Sequence, residues 1–108
     1  MFIRVHSVSD SQDHALAVLS KVLEPLSQHV ISRHLIKSEQ YWKIDMMFVT
    51  EAEVSLQDDF SREDLTVYLE KVSENWDVIE NPLEAITSTQ MGDISIENIA
   101  MITISFAE

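Results

Sequence analysis

The order of strand and helix signals predicts an α+β domain, a ferredoxin-like split βαβ sandwich with one mostly antiparallel sheet and two helices on one face. Three observations carry this expectation. Apolar residues recur at helical spacing in two segments, they alternate at strand spacing between and after those segments, and a strong cap signal opens the second helix. At 108 residues the chain fits one domain, 1–108, which buries roughly 65% of the surface of its unfolded form.

Phe2, Ile3, Val5 and Val8 read as a first strand. Ser9-Asp10-Ser11-Gln12 supplies side-chain oxygens for orphan helix amides, with Gln12 three residues after Ser9. Ala15, Leu19, Val22, Leu23 and Leu26 then form one helical face, and Pro25 is expected to end or kink the helix. Residues 31–37 alternate as a strand, and Lys37 to Gln40 reads as a turn. From Tyr41 to Val49 the alternation resumes, which places Trp42, Ile44, Met46 and Phe48 on one buried face of a hairpin.

Ser61 is the expected cap of the second helix, 61–74. Asp64 lies three residues on, and Phe60 precedes the cap as a staple against Leu65. Leu65, Leu69, Val72 and Trp76 make its inner stripe, with Tyr68 at the stripe's edge. Residues 76–79, 83–91 and 94–106 read as extended, and Ile99 to Ile104 as a central strand buried on both faces.

Composition narrows function mainly by exclusion. Without cysteine there is neither a disulfide nor a thiolate site, and a reducing compartment is allowed. One glycine, Gly92, rules out a phosphate-cradling loop. His6, His14, His29 and His34 show no metal spacing, so neither metal nor cofactor is expected. No apolar run approaches the roughly 20 residues that span a bilayer. The opening residues do not read as a signal peptide, so the expected location is the cytoplasm.

Charge is lopsided. Residues 1–50 hold five acids and five bases, whereas residues 51–108 hold 14 acids against Arg62 and Lys71, and thus the whole net charge of −12. Such a field repels nucleic acid and anionic membrane and attracts cationic surfaces. Asp58-Asp59 and Glu63-Asp64 are paired carboxylates, but a polar loop and a helix start keep them ionised, so catalysis is not expected.

On a helical wheel Glu63, Glu70 and Glu74 fall together, opposite the inner stripe, with Val67 among them. Glu70 and Glu74 are like charges four apart, which costs a few tenths of a kcal/mol. The preceding loop is expected to add Glu51, Glu53, Asp58 and Asp59, and the following segment Asp77, Glu80 and Glu84. The functional expectation is a docking face for a basic protein, built from Glu51, Glu53, Asp58, Asp59, Glu63, Val67, Glu70, Glu74 and Asp77. A plain solvated face on an acidic protein competes with it.

A small, cysteine-free, acidic domain with this element order resembles the bacterial immunity proteins, and more narrowly the partners encoded beside contact-dependent growth inhibition toxins. The acids Glu51, Glu53, Asp58, Asp59, Glu63, Asp64, Glu70 and Glu74 carry the resemblance. It implies a tight complex in the cytoplasm with a cognate basic toxin domain, often a nuclease, whose active site the acids would cover. The alternative is a small-ligand-binding or small-molecule enzyme domain of ferredoxin-like fold that dimerises through its sheet. An enclosed pocket with inward His34, Tyr41 or Asp45 would favour that alternative.

Overall fold

The computed structural model describes residues 1–80 and 82–106. The elements are β1 (Phe2–Val8), α1 (Gln12–Leu23), a 3-10 helix (Glu24–His29), β2 (Val30–Gln40), β3 (Met47–Leu56), α2 (Arg62–Val72), β4 (Asp77–Ile79), β5 (Glu84–Ser88) and β6 (Ile99–Ser105). Six strands form one antiparallel sheet in the order β2-β3-β1-β6-β5-β4. β2-β3-β1-β6 is the expected split βαβ core, and the β4–β5 hairpin extends it on one side. Both helices pack on one face.

Registers assign every strand residue to a face. The row Val78–Ala85–Ile104–Ile3–Ala52–Leu35 crosses all six strands on the helix side. The next row, Asp77–Ile86–Thr103–Arg4–Glu51–Lys37, lies on the helix-free side. Ile3, Val5, Ile102, Ile104, Val22, Leu26 and Val72 have no exposed surface and make the core between sheet and helices. β6 is accordingly buried on its helix side only; Met101 and Thr103 on its other face are half-buried, which corrects the expectation of two buried faces.

Helix ends follow local chemistry. Ser61 accepts from the Asp64 amide at 3.1 Å while the Asp64 carboxylate accepts from the Ser61 amide at 3.0 Å, a reciprocal capping box. These bonds hold the Asp64 carboxyl below its ordinary value. α1 is capped by Ser11, which accepts from the His14 amide, two residues later than expected. Ser9 instead is buried against the Ser7 hydroxyl, 2.9 Å away. Pro25 converts the chain to the tighter 3-10 helix, as its missing amide requires.

Two further expectations are overturned. Lys37 to Gln40 belong to β2, and the turn is residues 41–46, so Trp42, Ile44 and Met46 are exposed, Trp42 by 83%. The reason is sheet geometry: β1 ends in the pair Val8–Met47, so residues before Met47 have no neighbour there to pair with. Met46 closes the turn in a left-handed conformation (φ 61°), and its carbonyl accepts from Ser9 at 2.9 Å. Tyr68 is no rim contact. It is 2% exposed, and its hydroxyl donates to the Val22 carbonyl at 2.7 Å, tying α2 to α1; burial pushes the phenol well up.

Hydroxyls pin the end of α2. Ser73 bonds Thr87 at 2.7 Å, and Thr87 donates to the Asn75 carbonyl at 2.6 Å. The one glycine, Gly92, lies against the Asn75 side chain, where a Cβ would collide with the amide that donates to Met91. In β2 the pairing slips at Ile31 and again at Ile36, leaving each isoleucine as an extra, exposed residue.

Two packing predictions follow from these contacts. Leu69→Ala should destabilise by about 2–5 kcal/mol in urea unfolding, because Leu69 is a buried member of the core. Tyr68→Phe should cost about 1–2 kcal/mol in the same measurement, since the Val22 carbonyl then loses a buried donor.

Candidate functional site

The nine residues expected at a docking face separate. Glu63, Val67 and Glu70 are exposed on the outer face of α2, Val67 by 52%. Asp58 and Asp59 are exposed in the turn that leads into it. Helix α2 ends at Val72, earlier than expected, and Ser73 is extended. Glu74 therefore leaves the helical wheel, yet it is exposed and borders the same recess as Glu70.

Glu51, Glu53 and Asp77 lie elsewhere. Glu51 is in β3, not a loop, and its carboxylate accepts from Arg4 Nε at 2.6 Å with 11% of the side chain exposed. Glu53 is two residues on, exposed on the same helix-free side. Asp77 pairs with Ile86 in the helix-free row, so it points away from α2. Period-two alternation dictates this: Thr50, Ala52 and Val54 fill the helix side, which leaves Glu51 and Glu53 for the other.

Beside the acidic face of α2 is a groove that the sequence did not reveal. It has a volume of about 210 Å³ and lies between α2 and the β4–β5 hairpin. Leu65, Leu69 and Ala85 are its buried floor, and Trp76, Val78 and Leu83 its walls. The Trp76 indole donates to the Leu69 carbonyl at 2.7 Å, which fixes the ring across the end of α2. At one end Arg62 grips Glu80 through two nitrogens, at 2.6 and 3.3 Å. The pairing holds the Glu80 carboxyl below its ordinary value. Glu70 and Glu74 stand on the rim. Lys71, exposed four residues after Val67, does not line the groove but places a cation beside the outer face of α2.

The helix-free side is organised differently. His6 meets Tyr41 edge-on at 5.4 Å, and the two rings separate recesses of about 320 and 330 Å³. Two ion pairs lie beside these recesses, Arg4 with Glu51 and Lys37 with Glu39 at 3.4 Å. Of the residues expected to point into a ligand pocket, Tyr41 is half-buried beside these recesses, whereas His34 and Asp45 are exposed. Another recess, of about 480 Å³ and open to solvent, lies between α1 and β2, where Arg33 reaches the Ser20 hydroxyl at 3.2 Å. Among the described residues no group of three or more His, Asp or Glu side chains is placed to hold a metal ion, and no helix is long and apolar enough to cross a membrane.

No family model, no curated protein and no solved structure matches this chain.

Burial lowers the His6 pKa from its ordinary 6.5, Arg4 lowers it further, and Glu51 opposes both. A depressed folded value contributes stability that is full above the unfolded value and lost as pH falls through the folded one. The urea midpoint should therefore fall on acidification below about 6.5, and His6→Phe should flatten that part of the profile. An unchanged slope in the variant would show that His6 does not control it.

Proposed function

We propose that this chain is a non-catalytic, cytoplasmic protein-binding domain that docks a basic partner on the outer face of α2. The observation that supports it is the concentration of exposed Glu63 and Glu70 beside half-exposed Val67, with Glu74 on the adjoining groove rim and the neighbouring guanidinium of Arg62 already engaged by Glu80. An acidic surface of this kind accelerates encounter with a cationic protein and rejects anionic ones. The physiological role proposed is that of an immunity protein, in which the acids of α2 cover the substrate groove of a basic, nuclease-type toxin. The resemblance in size, charge and element order supports that role, and Asp58 and Asp59 extend the acidic face toward the start of the helix.

The recesses around His6 and Tyr41 favour a second reading, a small-ligand site on the helix-free face. Its cations and carboxylates are paired with each other, so it offers no net charge to select a ligand.

Charge reversal with a matched control separates a docking face from general acidity. Polylysine is the probe, and calorimetry at low salt is the measurement. Replacing Glu63, Glu70 and Glu74 with Lys should weaken association by about tenfold or more. The same replacement of Glu39, Glu53 and Asp77, exposed on the other side of the sheet, changes net charge equally and should weaken it far less. Equal losses in the two variants would sink the assignment of the face. Co-expression of the chain with the protein encoded beside it tests the toxin role; unrelieved growth inhibition would count against it.

A further inference from the structure

We infer that the groove between α2 and the β4–β5 hairpin is the anchor point of the docking face, and that it takes one apolar side chain from a segment flanked by lysines or arginines. This rests on the reading of α2 as a surface for a basic partner. The groove supplies what the acidic face lacks, a desolvated pocket beside the charge. Interfaces derive most of their affinity from a few side chains buried in such pockets, while surrounding charges set rate and orientation.

Its dimensions and chemistry define the occupant. A volume of about 210 Å³ exceeds the roughly 150 Å³ of a cavity that holds benzene, so it admits one leucine- or phenylalanine-sized group but no folded element. The floor of Leu65, Leu69 and Ala85 offers no polar group from its side chains. The one indole donor in the wall, Trp76, is spent on the Leu69 carbonyl. The polar members of the lining, Arg62, Thr66, Glu70, Ser73 and Glu74, are not part of this floor, so an apolar group is the better match for it. Glu70 and Glu74 on the rim, with Glu63 beyond them, require cations on the residues that flank the anchor. The groove is also pre-formed: the Arg62–Glu80 clamp closes one end, and the Ser73–Thr87 bond holds the helix end against the sheet.

The test compares two synthetic basic peptides, identical except for a central leucine or serine, titrated at low salt into the whole isotopically labelled chain. The leucine peptide is expected to shift the Trp76 indole resonance and the Val78 and Leu83 signals, and to bind about tenfold tighter than the serine peptide. Thr66→Trp, a change at an exposed position on the groove wall, should remove that difference while the peptides still bind the acids. Equal affinity of the two peptides, with shifts confined to Glu63, Val67 and Glu70, would overturn the anchor and leave the acidic face standing. Shifts at neither place would overturn both.

Discussion

The central position of β1 constrains everything else in this fold. It pairs along its length with β3 on one side and β6 on the other, with Ile3 and Val5 wholly buried. Each neighbour is reached through a helical connection that must return over the same side, so both helices share one face. Once that layer is closed, the Tyr68–Val22 bond sets α2 against α1, and the Ser73–Thr87 bond sets its far end against β5. The outer surface of α2 and the groove beside it are what this arrangement leaves open.

Charge is sorted by the same geometry. Alternation within β3 and β4 sends Glu51, Glu53 and Asp77 to the helix-free side, where Glu51 meets Arg4 and lies in register with Lys37. Among the described residues no ion pair engages Glu63 or Glu70 of α2. One acidic half of the sequence thus becomes two surfaces of different character. On one side Arg4–Glu51 and Lys37–Glu39 form ion pairs while Glu53 and Asp77 stay exposed; on the other, acids stand beside an apolar recess. The proposed docking of a basic partner rests on that contrast more than on the net charge.

Much of the architecture was legible because local chemistry and long-range packing agree. Ser61 and Asp64 announce α2, Pro25 marks the end of α1, and the inner stripe Leu65, Leu69 and Val72 is buried as its spacing requires. Legibility failed where a pattern has two meanings. Trp42, Ile44 and Met46 alternate like strand residues, yet the neighbouring strand runs out at Val8, a fact no local window contains. Glu51 carried a usable signal in the alternation of Thr50, Ala52 and Val54, but its charge suggested a loop. The groove unites residues from α2, β4 and β5, and only the chain reversal after Ser73 brings them together.

The slips at Ile31 and Ile36 bear on how well the outer edge of the sheet could template further strands. β2 is the outermost strand on its side, eleven residues long, with no strand on its outer edge among the described residues. A straight strand of that length would be a template for cross-β stacking. Two kinks within it spoil the regular repeat that a fibril needs, and they fall at the aliphatic side chains that would otherwise line a dry seam. Arg33 and Lys37 on either side of the second kink add like-charge repulsion between stacked copies. The irregular edge is therefore a poorer template for cross-β stacking than a straight strand of the same length, on the longer of the two margins of the sheet.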